Sequence, residues 1–371
     1  MNALKHIILS LRHVNWVLFT AMAGMTWVLL VRVYYNIKPL IPVWVRLFLR
    51  RARAGQKRKG FAESWPILDS AGVTPDGWPG WPEKKAFSLV LTHDVETQIG
   101  VDRIRQLAEI EMSLGFRSCF NFIPEGPYQV SPNLMQWLTD RGFEIGVHDH
   151  RHDGKLFHSR ARFTASAKRI NHFLKKWKSV GFRSGFMIRN LAWIQELEIQ
   201  YDSSTFDTDP FEPQPTGANT IFPFWVPGID GGGYVELPYT LAQDSTVFVI
   251  LRERSDEIWR QKLRWIASRG GMAMINVHPD YLNFGGGRPA QCEYPVAHYQ
   301  AFLASVCETY RDQYWPALPK EVASFYREKV LGNTTLLEGQ PSTEGSRKSF
   351  QWQLPAVPTT TNRVAGPVVG A

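Results

Sequence analysis

Two rhythms of apolar and polar positions alternate along this chain. From Trp65 to about Val330, short apolar runs bounded by turn residues are each followed by a stretch in which apolar side chains recur every three or four positions. The first kind reads as buried strand and the second as amphipathic helix. Strands are expected at 87–92, 117–122, 143–147, 182–187, 247–251 and 272–277. Helices are expected at 103–114, 133–141 and 161–179, the last with Phe163, Ala167, Ile170, Leu174 and Trp177 on one face. Ser255-Asp256-Glu257 before Ile258 opens a further helix and Gly270 closes it. Strand followed by helix, repeated, is the signature of an α/β domain on a parallel sheet. Six or more such units favour a barrel over a short open sheet, and no internal repeat stands out.

The N-terminal pattern differs. Residues 14–31 are uncharged and apolar between Arg12 and Arg32, about the minimum for a spanning helix, so the segment either spans a bilayer or embeds in one. Two basic residues precede it and nine follow before Glu63, which by the positive-inside tendency places the following domain on the cytoplasmic side. Ala21-Met22-Ala23 imitates a signal-peptidase site, but the apolar run continues past it. Beyond Pro42, Arg46, Arg50 and Arg53 share a helical face opposite Val43, Leu47 and Leu49. That pattern fits an interfacial amphipathic helix, or a helix packing its apolar stripe on the main domain. The expected organisation is a hydrophobic and basic helical segment at 1–60, one catalytic-size domain at 61–332, and a disordered tail at 333–371 rich in Thr, Pro, Gly and Ser.

Charge sharpens this division. The net charge is +8, yet residues 1–62 carry eleven Lys or Arg and no acid, leaving the rest at −3. A nucleic-acid enzyme would carry its basic stripe on the folded domain, so the distribution points to an anionic membrane surface or a solvated basic arm. Cys119, Cys292 and Cys307 are too few and too far apart for a disulfide framework and form no C-x-x-C pair.

Candidate chemistry gathers where apolar strands end. Thr92-His93-Asp94-Val95-Glu96-Thr97 closes the first strand; in a parallel barrel such ends converge on one face, although an acidic turn can also be a cap or a solvated loop. His148-Asp149-His150-Arg151-His152-Asp153 places three of the ten histidines within five residues. A helical turn brings His148 and His152 to one side, and an extended chain aligns all three. Two imidazoles and one carboxylate form a workable catalytic zinc site, with Asp149 or Asp153 available to hold a ring N–H; a surface histidine cluster is the competing account. Asn276-Val277-His278-Pro279-Asp280-Tyr281 delivers a histidine able to protonate a leaving amine, or a structural one. Arg183, in Gly181-Phe182-Arg183-Ser184-Gly185-Phe186-Met187, can pair with an acid of the site or form a structural salt bridge. Tyr201-Asp202-Ser203-Ser204 fits a turn or N-cap equally well. Phe222 to Trp225, Tyr239 and Tyr281 offer sugar-stacking or core rings, and Gly285-Gly286-Gly287 a loop hinge.

Across about residues 87–281 this order of motifs resembles that of polysaccharide deacetylases with the NodB homology domain, carbohydrate esterase family 4. The resemblance implies a distorted (β/α) barrel and a hydrolase that removes an acyl group from an N-acylated sugar or glycan. It implies Asp94 as catalytic base, His148 and His152 as metal ligands, Arg183 as partner of the base, and His278 as general acid. Asp202 falls where a further acidic motif lies. Asp94-Val95-Glu96 replaces the family's adjacent Asp-Asp, which makes Glu96 the carboxylate ligand, and Arg183-Ser184-Gly185-Phe186 stands where R-x-P-[Y/F] is common. The implied cofactor is a divalent metal, zinc first and Co, Ni, Mn or Fe next. The implied partner is an N-acetylated glycan or glycolipid, to which the N-terminal pattern and charge distribution add the membrane and no nucleic acid. Rival readings are a cyclic amide or imide hydrolase on the same fold, an iron oxygenase using Glu96, His148 and His152, and a non-catalytic carbohydrate binder.

Overall fold

The computed structural model describes residues 41–332 apart from Ile229, Asp230, Gly286 and Arg288; the apolar run at 14–31 and the tail at 333–371 lie outside the described residues. The barrel grows from its first strand, β1 (Phe87–Val95), every residue of which is buried. A strand covered on both faces is apolar apart from Ser88 until its end, where Thr92 and Asp94 alternate with His93, which bonds Glu111 in the helical layer. Helix α2 (Gln98–Ser113) returns the chain to β2 (Cys119–Phe122), α3 (Pro132–Thr139) to β3 (Glu144–His148), and α4 (Arg160–Trp177) to β4 (Gly181–Arg183). A short α5 (Leu191–Ile194) precedes β5 (Tyr201–Asp202), and a hairpin of β6 (Phe224–Pro227) and β7 (Gly233–Glu236) follows. Helix α6 (Glu257–Arg269) leads to β8 (Met272–Asn276).

Strands β1 to β5 and β7 pair in parallel in chain order, β8 lies on the other side of β1, and antiparallel β6 covers the outside of β7. The circuit closes through backbone hydrogen bonds from Thr240 and Leu241 N–H to Met274 O in β8. The result is the distorted (β/α) barrel expected from the strand–helix alternation. The short pair β9 (Leu282–Asn283) and β10 (Tyr294–Pro295), helix α7 (Ala297–Tyr310), β11 (Tyr314–Pro316) beside the start of β1, and α8 (Pro319–Phe325) complete the domain.

Local chemistry explains the outer layer. In α4, Phe163, Ala167, Ile170 and Leu174 are buried, Ser159 accepts the Arg162 N–H as N-cap, and Lys178 ends the helix in the left-handed region. Gly270 ends α6 the same way, at φ 73°. One expected strand is absent: 247–251 lies in a buried π-helical segment, Ser245–Ile250, opened by Asp244. A short run of buried apolar residues satisfies strand and buried helix alike, and the place beside β8 is taken by Thr240 and Leu241. The run expected at 182–187 leaves the sheet after Arg183 and turns at Phe186 and Met187, both with positive φ. An additional helix, α1 (Val43–Gly60), packs on the barrel through Leu47 and Ala54.

Candidate active site

Asp94, Glu96, His148, Arg183 and His278 meet because they sit at or just past the ends of parallel strands β1, β3, β4 and β8. Asp94 is 2% exposed. Its Oδ1 accepts from Asn121 Nδ2 at 2.9 Å and Arg183 Nη1 at 3.2 Å, and its Oδ2 from Asn276 Nδ2 at 2.7 Å. Burial opposes its ionisation, but the fields of His148, Arg183 and His278 and the Asn121 hydrogen bond outweigh that, holding the carboxyl well below the usual range. Asp94 is therefore a fixed carboxylate with both oxygens oriented.

Arg183 is fully buried and ties four strands together. Its Nη1 donates to Thr92 Oγ1 (2.8 Å) as well as to Asp94, and its Nε donates to Ser203 O (3.0 Å). Its own carbonyl accepts from Asp149 N–H (2.8 Å) and from His148 Nδ1 (3.1 Å). The second of these contacts fixes the tautomer: with Nδ1–H donating to a carbonyl, Nε2 of His148 carries the lone pair. That Nε2 is buried and has no hydrogen-bond partner.

The histidine tract is neither helical nor extended. Strand β3 ends at His148, and left-handed residues Asp149 (φ 56°) and His152 (φ 54°) fold the chain back on itself. The His148 and His152 rings come to 4.8 Å between centroids, and His152 stacks on Phe186 at 4.2 Å. His150 points away, toward Ser166 Oγ (3.1 Å) and Glu125 (3.1 Å). Asp153 pairs with Arg162 and accepts the Lys155 N–H, while Asp149 accepts the His150 N–H. Gly185 lies under this turn; a Cβ there would collide with Asp149 Oδ2 and lie 2.7 Å from His152 Cδ2.

Glu96 completes a three-residue cluster. One ligand atom from each of Glu96, His148 and His152 lies within 4.8 Å of the others, so side-chain adjustments would draw them to the roughly 3–4 Å spacing of donors that share one ion at about 2 Å each. Tyr281 OH donates to Glu96 Oε2 at 2.9 Å, and Asp280 accepts the backbone N–H groups of Glu96 (2.9 Å) and Thr97 (2.8 Å). The orphaned His148 nitrogen, the fixed tautomer and the two-imidazole, one-carboxylate donor set fit a divalent cation.

Facing this cluster is His278, whose Nε2 lies 3.9 Å from Glu96 Oε1. Asp244 Oδ1 accepts from His278 Nδ1 at 2.6 Å and Asp244 Oδ2 from the His278 backbone N–H at 2.9 Å. Burial favours the neutral ring, but Asp244 overrides it, with help from Glu96 and Asp94, and pushes His278 up to about 10. Asp202 lies in the barrel wall, bonded to Ser204 Oγ and in register with Glu236, rather than in the three-residue cluster. Asn121, Asn276 and Asp244 were not singled out by the sequence motifs. Asn276 carried a signal, being a polar residue in an apolar strand; Asp244 carried none, since only folding brings it to a histidine thirty-four residues on. Of the candidate stacking rings, Phe222 and Tyr239 are buried in the core, while Tyr281 holds Glu96. Gly286 lies outside the described residues.

Fold and site together define a class: a (β/α) barrel with a candidate mononuclear metal site flanked by a buried carboxylate and a buried imidazole at the C-terminal ends of its strands. Within that class, the chain shares its fold with a candidate polysaccharide deacetylase from Mycobacterium smegmatis, with a TM-score of 0.53, 19% identity, and coverage of 75% of this chain and 100% of that one. The peptidoglycan deacetylase PdaC from Bacillus subtilis aligns at TM-score 0.42 and 11% identity, over 69% of this chain and 98% of that one. A family 4 carbohydrate esterase from Streptomyces lividans in complex with acetate aligns at 0.37 and 11%, over 60% and 90%. No family model and no curated protein sequence matches the chain.

Proposed function

We propose that this protein is a divalent-metal-dependent deacetylase acting on an N-acetylated glycan or glycolipid. The observation that carries the reading is the juxtaposition of an ionised, immobilised Asp94 with an imidazolium-favouring His278 across the Glu96–His148–His152 cluster. Amide hydrolysis needs a base for the attacking water and an acid for the departing nitrogen, and two groups whose environments push their pKa values apart supply both. Glu96, His148 and His152 would hold the cation, which when bound would supply Lewis-acid polarisation of the acyl carbonyl and a more acidic water. Asp94, with Asn121, Asn276 and Arg183 fixing both oxygens, takes the proton from the water. His278, backed by Asp244, gives its proton to the sugar nitrogen as the C–N bond breaks.

The test is metal content and acetate release from N-acetylglucosamine oligomers for the full chain and two variants. His148→Ala is expected to lose the metal and the activity together. Asp94→Asn is expected to keep the metal while acetate release falls roughly 10²–10⁴-fold. Stoichiometric metal with oxygen-dependent turnover instead would move the assignment to an iron oxygenase using the same three residues. Metal-free protein without acetate release would move it to the cyclic-amide hydrolase or the binding-only reading.

A further inference from the structure

Helix α1 has two faces with different fates. Leu47, Arg51, Ala54 and Arg58 fall one per turn along the side that meets the barrel. Leu47 and Ala54 are buried, Arg51 donates to Val249 O at 3.0 Å and Gln291 O at 3.2 Å, Lys57 donates to Pro210 O, and Arg58 pairs with Glu253 at 2.5 Å. The helix is thus anchored along its length by contacts that fix its rotation. Fixed this way, it turns Trp44 (62% exposed), Phe48 (67%) and Leu49 (56%) outward. Seven large hydrophobic side chains are exposed among the described residues, and five belong to α1 or its C-cap Phe61, so apolar exposure is concentrated on this helix.

The chemistry of an occupant follows from the charges around the patch. Arg50, Arg53 and Lys59 are exposed on the same helix, and the chain carries no acidic residue before Glu63. The sequence before α1 holds the uncharged apolar run at 14–31. An apolar stripe with Trp and Phe, on a helix whose own charged residues are all basic and which follows an apolar segment of about spanning length, matches an anionic bilayer surface. No helix among the described residues is long and apolar enough to cross a membrane, so α1 would lie on the surface.

We propose that the outer face of α1 is a membrane-docking surface, with Trp44, Phe48 and Leu49 in the interface of an anionic bilayer and Arg50, Arg53 and Lys59 at its phosphates. Docking would also orient the candidate site. Arg51 binds the π-helical segment whose first residue follows Asp244, the partner of His278. The docking face stands on α1 alone and survives if the deacetylase reading fails.

The experiment uses the full chain with Cys292→Ser and Cys307→Ser, carrying an environment-sensitive fluorophore on Phe48→Cys or, in a second preparation, on Trp44→Cys. The control probe sits on Lys175→Cys, exposed near the C-terminal end of α4. Vesicles are phosphatidylcholine alone or mixed with phosphatidylglycerol, with spin-labelled lipid as quencher. The expected result is several-fold brightening and lipid quenching at positions 48 and 44 on the mixed vesicles, lost at high salt, with the control unchanged. Probes at 48 and 44 that stay in water on vesicle-bound chain would overturn the proposal, as would equal immersion in neutral vesicles or self-association that covers the probes without lipid. Acetate release measured in parallel separates this outcome from the fate of the enzymatic reading.

Discussion

Asp94 and His278 are both buried, yet each is pushed toward its charged form by named neighbours: Arg183, His148 and Asn121 for the first, Asp244 for the second. The Asp244–His278 contact carries a direct prediction. His278 is held up to about 10 chiefly because Asp244 outweighs burial. Removing that charge in Asp244→Asn leaves only Glu96 and Asp94 to oppose burial, which favours the neutral ring. The acidic form is then lost at lower pH, so the alkaline limb of the kcat/KM profile is expected to move toward or below neutrality. A wild-type profile that keeps its alkaline limb in Asp244→Asn would remove His278 from the general-acid role. Metal content, read in the same samples, is expected to stay near one per chain, because the Asp244 carboxylate accepts from Ser245, His278 and Tyr294 rather than from the residues of the cluster.

At the scale of elements, the decisive feature is the turn after β3, which brings His148 and His152 together by placing Asp149 and His152 in the left-handed region. The turn rests on Gly185, part of the segment that stops being strand after Arg183. Gly185→Ala is therefore expected to displace Asp149 and the His152 ring. Metal affinity should fall roughly 10–100-fold, as for losses of supporting contacts around ligands, with about 1–3 kcal/mol of overpacking cost in stability. Competition with a chelator and chemical denaturation measure the two effects. In α4, the buried stripe makes Ile170→Ala a test of ordinary packing, expected to cost about 2–5 kcal/mol without changing metal content.

For the whole molecule, a buried acid far from the metal cluster sets part of the pH dependence of stability. Glu144 accepts from Tyr201 OH at 2.8 Å and from the Lys320 N–H at 3.1 Å, and burial pushes it up to about 7. Its unfolded value is about 4.5, so between these values the folded chain holds a proton that the unfolded chain has released. Stability contributed this way is present at low pH and is lost as pH rises from about 4.5 to about 7. Glu144→Gln keeps the acceptor for Tyr201 and is expected to remove this slope, worth on the order of 1–3 kcal/mol across the window, in urea midpoints measured at pH 5 and 7.5. The sequence by itself determined the α/β alternation, the amphipathic face of α4, the bounds of α6 with its Gly270 end, and the segregation of basic charge before Glu63. Those features depend on local period and composition. It did not decide whether the buried run at 247–251 was strand or helix, since an apolar stretch without periodicity suits either. Tertiary structure alone decided that Asn121, Asn276 and Asp244 surround Asp94 and His278, because strand order, not distance along the chain, sets which ends meet. It also decided that Leu47 faces the barrel while Trp44 and Phe48 face outward, since the helical pattern allowed an apolar stripe on either side.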